Sequence, residues 1–169
     1  MKSEYLGDSY DVVKRFFIHE LQKLGYLVQM DEEFIATLDL QEKKAFRKMI
    51  GLGNKSSADK RLPNALFVDP DTGIREKKGK SHATFKNLEA AAAKNDLVFA
   101  FDQSFPRLKT EEKKSSVQDK MQRFENCHAM YYSSHACFVF VCRHKQPLRQ
   151  LRSHLISIGM PESRLLLGA

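Results

Sequence analysis

The sequence predicts an α/β fold: a three-layer, Rossmann-like sandwich whose mainly parallel sheet carries an antiparallel hairpin at one edge. Two near-continuous apolar runs, Ala65–Asp69 and Asp96–Phe101, read as strands buried on both faces, as central parallel strands are. Between them lies a segment of high helix propensity, Glu89–Lys94, and a helix joining two parallel strands makes a right-handed crossover. Two further apolar runs, Cys127–Tyr132 and Ala136–Cys142, are separated only by Ser133, Ser134 and His135, the spacing of a hairpin.

The remaining elements follow in chain order. Asp8 or Ser9 caps a helix over 9–24, in which Val12, Val13, Phe16, Phe17, Leu21 and Leu24 form one stripe at helical spacing. Gly25 ends it, and Tyr26–Met30 reads as a short strand. A second helix is expected over 41–50, stopped at Gly51–Asn54, with a loop over 51–64. After the strand at 65–69 come a polar loop, 70–82, and a helix over 84–95. Helices over 111–125 and 147–158 flank the hairpin, and Ser163–Leu167 forms an edge strand. The chain reads as a single α/β domain over 1–169.

Composition sets the class of partner. The chain is 42% hydrophobic and 10% aromatic, as a globular protein is. It contains no run near the roughly 20 apolar residues of a membrane span, and its N-terminus lacks the hydrophobic core of a signal peptide, so a cytoplasmic location is expected. Three cysteines are an odd number for a disulfide framework and are expected to be reduced. The net charge of +7 is uneven: residues 1–40 carry −4 and residues 41–169 carry +11. Such polarity suits an anionic partner, nucleic acid or nucleotide first; a lysine-rich solvated surface is the plainer reading.

The chemistry is expected at the strand ends. The strand Leu66–Val68 delivers Asp69-Pro70-Asp71 into Thr72-Gly73, and the strand Leu97–Phe101 runs into Asp102, Gln103 and Ser104. In an open α/β sheet ligands bind outside the carboxyl ends of the strands. Carboxylates there suit Mg²⁺ or Mn²⁺, which takes one or two of them plus water and substrate phosphate, polarises a phosphoryl oxygen and activates water. Lys77, Lys78, Lys80 and Arg107 lie just downstream, where they would hold phosphate. The same Asp-x-Thr-Gly is also an ordinary turn, with Asp capping backbone amides. Gly73–Ser81 approaches a phosphate-binding loop, but its gap is one residue too long. Cys127, Cys142 and His144 would supply zinc ligands if the first two faced each other across the hairpin; buried reduced cysteines are the commoner explanation. His135, in a tight turn before a buried strand, is the candidate proton carrier.

Tyr5–Lys14, Phe67–Gly73 and Phe101–Arg107, with Ser134-His135-Ala136-Cys137-Phe138, resemble an uncharacterised bacterial family that has no established activity. The resemblance implies that Asp8, Asp11, Lys14, Asp69, Asp71, Asp102, Gln103 and His135 belong to one site. The expected set is Asp69, Asp71, Asp102 and Asp8 on the metal. His135, Lys78 and Gln103 act at the reacting group, and Lys14, Asp11, Arg107 and Ser104 hold substrate. Asp69-Pro70-Asp71 also looks like the Asp-Pro-Pro-aromatic strand end of amino-group methyltransferases, whose second half has the same strand–helix–hairpin order. Their Gly-rich cofactor loop has no counterpart after Tyr26–Met30. The reading reached is a metal-dependent phosphodiesterase or nuclease. Its alternatives are a non-catalytic nucleic-acid-binding module and a methyltransferase-like fold without the usual cofactor loop.

Overall fold

A computed structural model describes residues 6–53, 62–77, 79, 82–104 and 110–168. The first helix, α1 (Ser9–Lys23), starts where the Asp8 carboxylate accepts hydrogen bonds from the amides of Tyr10 and Asp11, an N-cap that satisfies donors the helix cannot. It leads into β1 (Leu27–Met30) and α2 (Leu40–Met49), whose Asp39 and Glu42 cap each other's backbone amides reciprocally. Next come β2 (Asn64–Val68), a short ribbon of β3 (Ile74–Arg75) and β4 (Ala83–Thr84), and α3 (Phe85–Ala92) capped by Thr84. The remainder is β5 (Leu97–Phe101), α4 (Thr110–Met121), the hairpin β6 (His128–Tyr132) and β7 (Phe138–Cys142), α5 (Lys145–Ser157) and β8 (Leu165–Leu167).

The fold is mixed α/β. Its central six-stranded sheet runs β1-β2-β5-β7-β6-β8. β1, β2 and β5 are parallel, β7 is antiparallel to β5, and β6 and β8 follow in alternation, so β6 points the same way as the first three. The hairpin therefore lies inside the sheet, with β8 closing its outer side. The ribbon of β3 and β4, also parallel, occupies part of what reads in the sequence as a plain polar loop. The hairpin register is His128 opposite Cys142. Cys127 thus falls one residue out of line with Cys142, whose thiol donates instead to the His144 carbonyl, and the two cysteines do not face each other across the hairpin.

Strand residues alternate between two apolar clusters. Phe67, Phe99, Phe101, Phe138 and Phe140 pack with α1, α2 and α5. Val68, Val98, Ala100, Tyr131, Val139 and Val141 pack with α3 and α4. Because side chains of a strand alternate strictly, this parity decides where each strand end points its first polar residue. No described helix is long and apolar enough to cross a membrane.

Candidate functional site

Asp69 follows Phe67 by two residues and so continues on the α1–α2–α5 side. Asp102 follows Ala100 by two and continues on the α3–α4 side. Pairing of Val68 with Ala100 sets the two strand ends one residue out of step. The two aspartates are buried, at 3% and 1% exposure, but they face opposite sides of the sheet. The single acidic site expected from the sequence is in fact two networks, one on each side of β5.

The first network is centred on Lys14. Its Nζ donates to Asp11 Oδ1 and Asp69 Oδ2, each at 2.9 Å, while Asp11 Oδ2 accepts from the Gly7 amide. The Phe46 and Phe101 rings lie 5.3 and 5.0 Å from the ammonium, within cation–π range. Lys14 is 5% exposed. The helix face explains this placement: Asp11, Lys14, Ile18 and Leu21 recur at helical spacing and form the buried stripe, whereas Val12 is 68% exposed. The apolar stripe read from sequence is thus rotated, because two ionic side chains take the positions nearest the strand ends. Burial pulls the Lys14 ammonium down, but the two carboxylates outweigh it and its pKa stands above the ordinary value. Asp69 is raised, first by burial and then by the Asp11 charge, against the pull of Lys14.

Beside it, the Tyr10 hydroxyl and His135 Nε2 are hydrogen-bonded at 2.8 Å, with their rings stacked. Tyr10 also packs against Phe101 at 5.2 Å between centroids. Phe101 therefore has the Lys14 ammonium and the Tyr10 ring as neighbours, which joins Tyr10, Asp11, Lys14, Asp69 and the exposed His135 into one constellation at the carboxyl ends of β2 and β5.

The second network is centred on Asp102. Oδ1 accepts from the amides of Ile74 and Ser104 and from Ser104 Oγ at 2.6 Å; Oδ2 accepts from Lys120 Nζ at 2.6 Å and Tyr131 Oη at 2.8 Å. Lys120 Nζ also donates to Ser104 Oγ at 2.9 Å. Burial alone would raise the Asp102 carboxyl, but Lys120, Ser104 and Tyr131 outweigh it and hold it below the usual carboxylate value. Lys120 is lowered, first by burial, which exceeds the attraction of the Asp102 carboxylate, and further by the Arg75 charge. Gly73 closes this network: it has φ +79, and a Cβ there would stand 2.3 Å from Asp102 Oδ1 and 2.7 Å from Ser104 Oγ. Glycine is the residue that fits.

Of the expected metal set, Asp8 is half-buried and its Oδ1 holds the cap of α1. Asp71 is exposed at the turn after β2, and Asp69 and Asp102 each hold a lysine. Among the described residues no three His, Cys, Asp or Glu side chains gather as a metal would need. Gln103 lies between the two networks, half-buried. Lys78, Lys80 and Arg107 lie outside the described residues. Sequence reasoning missed Tyr10, Phe46, Lys120 and Tyr131. Lys120 leaves a signal, for Val117, Lys120, Met121 and Phe124 recur at helical spacing with a charge in an apolar position.

Compared with known proteins, the chain matches no family model, no curated protein and no solved structure.

Proposed function

We propose that the protein is a phosphodiesterase or nuclease acting on a nucleotide or nucleic acid at the carboxyl ends of β2 and β5, with His135 as the proton carrier. One observation carries the reading: Lys14, a buried ammonium between two buried carboxylates, stands beside a hydrogen-bonded Tyr10–His135 pair at a parallel-strand end. Buried charges are costly to keep, and perturbed groups gather where α/β sheets bind ligands. Lys14 supplies fixed positive charge for a phosphoryl oxygen. His135, held by Tyr10, is exposed to an incoming substrate and suits proton transfer to a leaving oxygen. Asp69 and Asp71 are the two carboxylates that a single strand end offers to Mg²⁺ or Mn²⁺, an ion that substrate phosphate would help to hold. The apolar clusters on the two sides of the sheet favour a three-layer, Rossmann-like sandwich, in which this end is the usual ligand side.

The test is hydrolysis of single- and double-stranded DNA and RNA and of an aryl phosphodiester, with Mg²⁺, Mn²⁺ or chelator. His135→Ala, an exposed change that leaves the core intact, is expected to lower the rate by about 100-fold or more, the scale of general acid–base catalysis. Tyr10→Phe is expected to lower it less. A protein that hydrolyses none of these substrates, or an His135→Ala variant of full activity, overturns the reading.

Two observations favour other readings. Lys43, Lys44 and Lys48 border a recess of about 480 Å³ on α2, which suits a non-catalytic nucleic-acid-binding module; salt-sensitive binding without hydrolysis would support it. Apart from the β3–β4 ribbon, the run from β2 through α3, β5 and α4 to the β6–β7 hairpin keeps the strand–helix–hairpin order of the methyltransferase resemblance, and stabilisation by S-adenosylmethionine would support that instead.

A further inference from the structure

Phe101, Tyr10 and His135 form a column of rings that runs from the core to the surface. Phe101 is 4% exposed, Tyr10 is half-buried and His135 is exposed. Tyr10 lies 5.2 Å from Phe101 in a tilted contact and 5.4 Å from His135 in a stacked one, with 24° between the last two planes. Tyr10 covers one face of the imidazole, and its hydroxyl is bonded to Nε2 on the ring edge. The exposure of His135 therefore belongs to its other face and to the Nδ1 edge.

Residues in surface turns are ordinarily mobile, but this turn is tied to its surroundings. Lys113 on α4 donates to the Ser134 carbonyl, and Arg164, just ahead of β8, donates to the Ser133 carbonyl at 3.1 Å. The Arg164 carbonyl in turn accepts from the Ser133 amide. Within the turn, Ser134 Oγ donates to the Ala136 carbonyl and the Cys137 thiol to the Ser134 carbonyl. The backbone on both sides of His135 is thus fixed, and its ring is held in place before anything binds. Such preorganisation lowers the entropic cost of contact. Lys113 and Arg164 also place positive charge beside the ring, as a phosphate backbone requires.

A flat ring fixed at the surface beside cations suits an unpaired nucleobase, because every base has a face to stack. In a duplex the grooves offer only base edges. We propose, on the phosphodiesterase reading of this strand end, that its substrate is single-stranded nucleic acid, with one base stacked on the outer face of His135 and the adjoining phosphate at its Nδ1 edge. Stacking uses the face of the ring and proton transfer its edge, so one imidazole serves both.

Fluorescence anisotropy of labelled oligonucleotides with the full chain tests it, in chelator so that no metal-dependent cleavage intervenes. The probes are a short single strand, the blunt duplex of the same sequence, and a single strand of the same length without bases. The base-bearing single strand is expected to bind about tenfold or more tighter than the other two, the scale of a base–aromatic stack. His135→Phe keeps a ring and is expected to hold that strand as the parent does. His135→Ala is expected to bind it no better than the abasic strand. An abasic strand or duplex bound as tightly as the single strand, equal binding by the Phe and Ala variants, or a parent that binds none of the probes would each overturn the proposal, while leaving the hydrolytic reading to its own assay. A single strand held through its bases but not cleaved would uphold the stacking and remove the hydrolysis.

Discussion

Lys14 stands between the Asp11 and Asp69 carboxylates and Lys120 holds Asp102, and each network responds to change in its own way. Removing the ammonium in Lys14→Met leaves Asp11 and Asp69 buried without their partner, a loss of about 3–5 kcal/mol. Adding Asp69→Asn removes one of the stranded charges, so the double variant is expected to be more stable than the sum of the single losses, as urea midpoints would show. Asp102 behaves differently. Its folded-state pKa lies below the ordinary 3.8, so its contribution to stability is complete above that value and disappears as pH falls through the folded value. Between neutral pH and about pH 2, Asp102→Asn is expected to show a flatter decline of urea midpoint than the parent; an identical acid limb would show that other groups govern it. The roles of Asp69 and Asp102 as strand-end carboxylates are legible in sequence, and the resemblance groups Lys14 with Asp11 and Asp69, but the Lys120 partner of Asp102 is not legible. The Lys14–Asp69 and Lys120–Asp102 pairs each join a helix to a strand end elsewhere in the chain, and no local pattern records either contact.

At the scale of elements, the helices and strands of the central sheet lie within a few residues of where periodicity and capping place them. The helix expected over 9–24 is Ser9–Lys23, and the strand expected over 65–69 is Asn64–Val68. The ribbon of β3 and β4 was not legible, because two-residue strands carry no periodicity and depend on Gly73 fitting against Asp102. Parity was legible in principle: Asp69 and Asp102 continue opposite faces once the register of β2 and β5 is known, but register is a tertiary fact. The same register stacks Phe67 on Phe99 and Phe99 on Phe140, with centroids 5.0 and 5.9 Å apart across three strands. Phe99 is fully buried in the middle of that row. Phe99→Ala is expected to cost about 3–5 kcal/mol, read from equilibrium unfolding; a loss below about 1 kcal/mol would mean that the row is not a unit.

At the scale of the whole molecule, β5 separates two polar networks whose hydrogen bonds described above have no residue in common. Changes in one are therefore expected to add to changes in the other. Tyr10→Phe removes a partner of His135, and Tyr131→Phe removes a donor to Asp102. Their combined effect on unfolding free energy is expected to equal the sum of the two within about 0.5 kcal/mol. A larger discrepancy would mean that the strand transmits between its two sides. The strand order itself was only half legible: consecutive parallel neighbours follow from the crossover rule, but nothing in residues 128–142 announces that the later strand of the hairpin, not the earlier, lies against β5.

That order has a kinetic consequence. β7 sits between two strands that both precede it in the chain, so β5 gains its second neighbour only when the hairpin arrives as a unit or β7 enters a waiting gap. Until then Leu97–Phe101, apolar throughout, has one edge without a partner. A newly made chain is thus most exposed to self-association in the interval between completing α4 and closing the hairpin, and the speed of that closure, more than final stability, sets the yield of folded protein.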